Sequence, residues 1–538
     1  MSTLLSVRGL GVQFGAVTAA ESVSFDLEQG SSLGIVGESG SGKSVTCRAL
    51  MRLLAPGAVV SGSVLFDGAD LLKAPASALD AIRGRRIAMI FQSPSSHLDP
   101  LMRIGDQVGQ ALRRHRGLSG HALRTEVLRL LETVRIPDPG RWARAYPHQL
   151  SGGLKQRAMI AGALACRPDL LIADEPTTAL DATVQKGILD LLARLRREQG
   201  LSMIFVSHDL GAVAQVCEEM VVMRAGRIVE SGSMTQIIEA PRQDYTHRLV
   251  SAHPGRLPPR PPRSLARNTE PLLATRDLRV RYGSRTLADL LAKREGGFTA
   301  LHGCDLAVQR GEALGIVGES GSGKSTLART LVGLNQPESG DILYKGRRIE
   351  PAGADRLAYL RDVQLVYQHP HEALSPRLTA FQSIAEPLRQ HRIVPPHEIP
   401  RRVAELMREV DLSPDLGQRR PGQLSGGQCQ RVAIARALGL EPRILIADEV
   451  TSALDVTLQA QVLDLLIRLQ AERELTMIFI SHDLGVIRRL CDRVVVMRGG
   501  RIVETGPTDR VFDAPTEVYT RELIEAIPRL PTAEALLA

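Results

Sequence analysis

The segment Gly34–Ser44 reads GIVGESGSGKS, and Gly315–Ser325 repeats it without a change. Such a loop needs its own strand before it and its own helix after it, so a chain that carries it twice is expected to fold as two like units. Three further segments recur in the same order: LSGG at Leu150 and Leu424, ADE at Ala173 and Ala447, and SHDLG at Ser207 and Ser481. These pairs share an offset of 274 residues, whereas the glycine loops lie 281 apart, so the first half carries seven more residues between its loop and LSGG. Surface connections absorb such a difference at little entropic cost.

The repeat sets the domain boundaries: a first domain over 1–252, a linker over 253–271 and a second domain over 272–538. Pro254, Pro258, Pro259, Pro261, Pro262 and Pro271 crowd the linker. Proline this dense suits neither helix nor central strand and favours an extended spacer of about 3.1 Å per residue. Residues 284–298 are an insertion with no counterpart in the first half. The hydrophobic fraction of 43%, the charged fraction of 23% and a mean hydropathy of −0.04 belong to a globular chain. No apolar run is long enough to span a membrane and Met1–Leu10 lacks a signal-peptide pattern, so the chain is expected to stay in the cytoplasm. Cys47, Cys166, Cys217, Cys304, Cys429 and Cys491 include no C-x-x-C pair and read as reduced, mostly buried thiols. A net charge of +8 admits an anionic partner, but the basic residues form no dense block, and solvated faces account for them as well.

Short apolar runs that end in a polar residue and precede a helical pattern read as buried parallel strands. In the first half they are Leu33–Val36 before the glycine loop, Ile87–Phe91 before Gln92, Leu170–Ala173 before Asp174 and Glu175, and Met203–Val206 before Ser207 and His208. The second half repeats them before its loop, Gln368, Asp448 with Glu449, and His482. Ligands of such sheets sit at the carboxyl ends of the strands, so these polar residues are expected to converge.

Gly37, Glu38, Ser39, Gly40, Ser41, Gly42, Lys43 and Ser44 fit G-x-x-x-x-G-K-[ST], as do Gly318, Glu319, Ser320, Gly321, Ser322, Gly323, Lys324 and Ser325. Glycines let successive N–H groups turn toward phosphate oxygens, and the helix that follows, through Val45 and Thr326, presents its positive end to them. Lys43 and Lys324 are expected to reach the β and γ phosphates of ATP, and Ser44 and Ser325 to ligate Mg²⁺. Asp174 and Asp448 are placed to support that ion, and Glu175 and Glu449 to polarise an attacking water. Ser151-Gly152-Gly153 and Ser425-Gly426-Gly427 precede helical patterns and form a second anion site in each half, expected to complete the nucleotide pocket of the other half.

Together these residues make the chain resemble a fused pair of ATP-binding cassette (ABC) ATPases, over nearly all of both halves. The fold this implies is α/β: two tandem P-loop domains, each a RecA-like core with a β-subdomain and a helical signature subdomain. The resemblance makes Gln92 and Gln368 the Q-loop glutamines, with catalytic and Mg²⁺-ligating roles, and His208 and His482 the switch histidines. It makes Asp181 and Asp455 the D-loop aspartates, and places Phe14 and Tyr282 where such domains stack an aromatic ring on adenine. It also implies two ATPs held head to tail, each between one glycine loop and the opposite LSGG.

A narrower resemblance concerns cargo. Q-x-P-x-x-x-L-x-P follows each Q-loop glutamine, at Gln92, Pro94, Leu98 and Pro100 and at Gln368, Pro370, Leu374 and Pro376. A-P-x-x-x-Y-T-x-x-L follows each cassette, at Ala240, Pro241, Tyr245, Thr246 and Leu249 and at Ala514, Pro515, Tyr519, Thr520 and Leu523. Both are similar to the ATPases of dipeptide, oligopeptide and nickel importers. The resemblance implies two transmembrane permease subunits, an extracytoplasmic solute-binding protein and a peripheral place on the cytoplasmic face of a bacterial plasma membrane, with no nucleic acid. The rival class is a soluble twin-cassette factor acting on ribosomes or nucleic acid. Thr177-Thr178-Ala179-Leu180-Asp181 after the acidic pair, and a proline-rich rather than charged helical linker, favour the importer.

Overall fold

The computed structural model describes residues 2–178, 180–253, 256, 270–283, 297–350, 352–451, 454–528 and 530. The linker expected over 253–271 and the insertion at 284–298 lie outside these, apart from Arg256 and their edge residues. The chain divides into two compact units, parting after Arg256.

Among the described residues the first unit contains strands β1 (Thr3–Phe14), β2 (Val17–Glu28), β3 (Ser32–Val36), β4 (Ala58–Phe66), β5 (Ala69–Asp70), β6 (Ile87–Ile90), β7 (Leu170–Asp174), β8 (Ser202–Val206), β9 (Glu219–Arg224) and β10 (Arg227–Ser233). They form two sheets, ordered β2-β1-β4-β5 and β10-β9-β3-β8-β7-β6. The smaller sheet is antiparallel, and β2 alternates, with Val23, Phe25 and Leu27 buried between exposed neighbours. That pattern is what one-sided packing demands. In the larger sheet β9, β3, β8, β7 and β6 are parallel, and β10 adds an antiparallel edge. Every residue of β3, β6, β7 and β8 is buried, because helices Lys43–Leu50, Ala182–Gln199 and Leu210–Val216 run between consecutive members and cover the faces.

Between β6 and β7 the chain makes a helical layer, with Ile104–Val108, Gly120–Thr133 and Gly152–Leu164. Gly120–Thr133 turns Leu123, Val127, Leu130 and Leu131 inward at helical spacing. Gly153 marks where Gly152–Leu164 meets the start of Ala182–Gln199: a Cβ there would lie 2.6 Å from Val184 Cγ1.

The second unit repeats the design with β11 (Leu273–Tyr282), β12 (Phe298–Val308), β13 (Ala313–Val317), β14 (Ser339–Tyr344), β15 (Arg347–Arg348), β16 (Val363–Val366), β17 (Ile444–Asp448), β18 (Thr476–Ile480), β19 (Arg493–Arg498) and β20 (Arg501–Pro507). Its sheets are ordered β12-β11-β14-β15 and β16-β17-β18-β13-β19-β20, the same two topologies. Its helical layer buries Ile384, Leu388, Val403, Leu406, Ile434 and Leu438 in one core. No helix among the described residues is long and apolar enough to cross a membrane.

Leu192, fully buried in the middle of Ala182–Gln199, tests the packing of the first unit. Leu192→Ala is expected to lower the stability of that unit by about 2–5 kcal/mol, seen as an earlier unfolding transition in urea.

Candidate functional site

The order β3-β8-β7-β6 makes neighbours of strands that are far apart in the chain, and because all run parallel their carboxyl ends share one edge. The glycine loop leaves β3, Ser207 and His208 leave β8, Asp174 closes β7 with Glu175 next, and Gln92 follows β6 closely. The convergence expected from the sequence is therefore present, and the second unit repeats it with β13, β18, β17 and β16.

The loop itself is bent by its glycines. Gly37 has φ +154° and Gly318 +149°, and a Cβ on either would strike a backbone carbonyl oxygen, that of Met223 or Met497. Lys43 is buried, and its Nζ donates to the carbonyls of Gly37 at 2.7 Å and Glu38 at 2.8 Å. Lys324 does the same to Gly318 and Glu319 at 2.7 and 2.8 Å. The ammonium groups thus sit against the loop backbone, on the carbonyl side of its first peptides.

Ser44 Oγ donates to Asp174 Oδ1 at 2.7 Å, and Ser325 Oγ to Asp448 Oδ1 at 3.2 Å. Asp174 is fully buried, and its second carboxylate oxygen has no hydrogen bond, with the Arg48 guanidinium 3.9 Å away. Burial pushes Asp174 above the ordinary aspartate range against the pull of Ser44, and burial with the nearby Glu449 charge does so for Asp448. A hydroxyl beside a buried carboxylate, with one oxygen left unsatisfied at Asp174, is the donor set a hard divalent cation takes, so these residues fit Mg²⁺.

Glu175 and Glu449 stand in the left-handed region, at φ +48° and +49°. Strain of this kind in a non-glycine residue persists only where its surroundings hold it. Here the N–H of Glu175 is held by the carbonyl of Val206 and that of Glu449 by Ile480, each at 2.9 Å. The Glu175 carboxylate accepts from Gln92 Nε2 at 2.7 Å and Thr178 Oγ1 at 2.9 Å, with His208 Nδ1 at 3.6 Å. Glu449 accepts from Gln368 Nε2 at 2.6 Å, with His482 Nδ1 at 3.5 Å. Burial would raise the Glu175 carboxyl, but the hydrogen bond and charge of His208, with the Thr178 hydroxyl, outweigh it and hold it at about 2. Glu449 is lowered by the same balance. Burial would lower His208 and His482, and the carboxylate each faces reverses the sign, so both imidazoles are raised. A carboxylate kept ionised in a partly dry site is a proton acceptor available at neutral pH.

Other expected site residues are placed less directly. Gln92 and Gln368 use their amide nitrogens on the glutamates, which leaves the side-chain carbonyl as the atom for a metal role. Ser151 and Ser425 are exposed N-caps, accepting from the N–H groups of Leu154 and Gln428, and their side chains bond only within their own helix starts among the described residues. Asp181 and Asp455 are N-caps too, of Ala182–Gln199 and Val456–Arg473. Phe14 ends β1 half-buried against the core, and Val45, on Lys43–Leu50, is half-buried against the same core. Tyr282 ends β11 with its hydroxyl 3.4 Å from Thr326 Oγ1, beside the loop helix, and takes a hydrogen bond from Asn335 at 2.8 Å. Sequence reasoning missed Thr178, Arg48 and, most of all, Tyr245 and Tyr519, whose hydroxyls accept from the loop N–H groups of Glu38 at 3.2 Å and Glu319 at 3.0 Å. Both tyrosines stood in a repeated motif after the cassettes, a signal that pointed to cargo and not to the loop.

The sequence profile described as ABC transporter matches residues 20–178 and 301–452, covering the loop, the acidic pair and LSGG of each unit. The chain belongs to the ABC transporter family. Its two units are ABC ATPase domains, which bind and hydrolyse ATP. A second profile, described as Oligopeptide/dipeptide transporter, C-terminal region, matches residues 503–537. Among relatives of this ABC ATPase, Glutathione import ATP-binding protein GsiA of Pectobacterium atrosepticum is 44% identical over 559 residues, covering 98% of this chain and 89% of that protein. Peptidoglycan transport ATP-binding protein YejF of Agrobacterium fabrum is 44% identical over 539 residues, covering 99% and 97%. Among solved structures, cbiO1 from Clostridium perfringens, part of the ABC transporter complex cbiONQ, is 30% identical and covers 46% of this chain and 92% of that one, with a TM-score of 0.40.

Gly37→Ala combined with Gly318→Ala is expected to abolish ATP binding, because each added methyl must displace a strand-end carbonyl. Isothermal titration with ATP checks this, and native affinity in the double variant would contradict it.

Proposed function

We propose that this ABC ATPase is the energy-coupling subunit of an importer for peptides or peptide-like solutes. The observation that carries the reading is the oligopeptide/dipeptide C-terminal match at 503–537, on a chain whose sequence repeats the same A-P-x-x-x-Y-T-x-x-L motif after its first cassette. The printed names of the relatives, glutathione import and peptidoglycan transport, both concern peptide-containing solutes. With no described helix fit to cross a membrane, import requires separate permease subunits. Two such subunits, an extracytoplasmic binding protein that delivers the solute, and a peripheral position on the cytoplasmic face of the membrane complete the proposal.

In each unit the loop N–H groups and Lys43 or Lys324 hold the phosphates of ATP. Ser44 with Asp174, and Ser325 with Asp448, are the residues that would hold Mg²⁺, joined by the side-chain carbonyls of Gln92 and Gln368. When bound, the ion offsets the charge of the phosphate oxygens. Glu175 and Glu449 orient the attacking water and take its proton; His208 and His482 keep those carboxylates ionised and oriented. Ser151 to Gly153 and Ser425 to Gly427 offer exposed hydroxyls and helix-start amides to phosphate. Tyr282, and Phe14 in the first unit, face the base. Both units keep the full Gln, Asp, Glu and His set, so both turn over.

Glu175→Gln with Glu449→Gln is expected to retain ATP binding and to lose steady-state hydrolysis by about 10²- to 10⁴-fold. Unaltered phosphate release would refute the assignment of the base. For the cargo, cells lacking this chain are expected to lose uptake of radiolabelled short peptides, glutathione among them, and to recover it when the chain is restored. Uptake at the parental rate for all of these, with the chain co-purifying on ribosomes and not membranes, would overturn the importer reading.

A further inference from the structure

The second helix after each cassette's last strand reaches its nucleotide loop through a tyrosine hydroxyl. Tyr245 on Asp244–Ser251 and Tyr519 on Val518–Glu525 are buried, and their hydroxyls accept from the N–H of Glu38 and Glu319. That N–H belongs to the peptide whose carbonyl is Gly37 O, or Gly318 O, and the same carbonyl accepts from Lys43 or Lys324 Nζ at 2.7 Å. One peptide plane is therefore gripped on both sides, by a tyrosine on its N–H and by the phosphate-binding lysine on its C=O.

The tyrosine is in turn held. Glu230 on β10 accepts from the N–H groups of Arg242 and Gln243, at 2.8 and 3.1 Å, where the helix of Tyr245 begins. Glu504 on β20 does the same for Thr516 and Glu517, at 2.9 and 3.2 Å, before the helix of Tyr519. On its ring face Tyr245 meets the Arg224 guanidinium at 4.9 Å and Tyr519 meets Arg498 at 4.7 Å. Those arginines end β9 and β19, and the turns they open return to the loop, with Gly226 N–H donating to Ser41 O at 3.0 Å and Gly500 N–H to Ser322 O at 2.9 Å. The circuit from loop to hairpin to carboxylate to helix to tyrosine closes on the loop again, and both units build it from sequences that differ at most intervening positions.

The geometry points to Tyr245 and Tyr519 as positioning residues for ATP binding: each fixes the peptide plane on which its loop lysine rests, and Glu230 or Glu504 fixes the tyrosine. This rests on the reading that the loops hold ATP phosphates. It assigns the extension after each cassette a role in nucleotide affinity as well as any role in transport.

The test is Tyr245→Phe with Tyr519→Phe in the full chain, which keeps both rings and their arginine contacts and removes only the two hydroxyls. The KM for ATP is expected to rise by about 2- to 10-fold, the range of one neutral hydrogen bond per site, with kcat changed less than KM. Glu230→Gln with Glu504→Gln, which keeps the tyrosines and loosens their helices, should shift KM in the same direction by a smaller factor. Native KM in the tyrosine double variant, or a fall in kcat at native KM, overturns the inference. Lys43→Ala with Lys324→Ala separates the two levels: loss of ATP binding there beside native KM in the tyrosine variants sinks the positioning role alone, whereas native binding without the lysines sinks the nucleotide site itself.

Discussion

A loop that binds phosphate directs most of its N–H groups toward the ligand and has few left to hold its own shape. In this chain Ser41 N–H closes one turn onto Glu38 O at 3.1 Å, and the rest of the hold comes from other groups. Lys43 takes the loop carbonyls, the β9–β10 turn reaches Ser41 through Gly226, and Tyr245 takes the one early N–H at Glu38. The glycines permit the bend, but strand-end carbonyls packed against Gly37 and Gly318 select it. Everything else at the site is measured from that loop, because Ser44 and the helix behind it set where Asp174 must end its strand.

The second demand is a carboxylate that stays charged in a partly buried place. Desolvation works against it, and the site answers with a ring of donors: Gln92, Thr178 and His208 around Glu175. The left-handed backbone of Glu175 and Glu449 belongs to the same arrangement. Turning the chain there lets Asp174 face the serine of the loop while its neighbour faces glutamine and histidine, so that adjacent acids have separate environments. Asp174 is raised by burial and Glu175 is lowered by its partners, and two unlike tasks follow from two unlike surroundings.

Much of this was legible in the residues. Repeated motifs marked two units, unbroken apolar runs such as Leu170–Ala173 marked buried parallel strands, and the polar residue ending each run marked the site. Capping roles were only half legible. Ser151 and Asp181 read as ligand contacts, and each also starts a helix, since a serine or aspartate before a helical run satisfies orphan N–H groups whatever else it does. The tyrosines were legible as part of the importer motif but not as contacts of the loop, because a residue 207 positions from Glu38 carries no sign of which loop it will touch.

Sequence by itself determined which residue types are present in which order: a phosphate loop, two acids, a glutamine and a histidine, twice, each at the end of an apolar run. These are local properties, set by periodicity and by the chemistry of adjacent side chains. Only the tertiary structure decided that β3 lies between β8 and β9 while β6 stands at the edge, and that a helix after the last strand returns to the loop. Such neighbours are chosen by which buried faces fit together across long stretches of chain, and no local pattern encodes that choice.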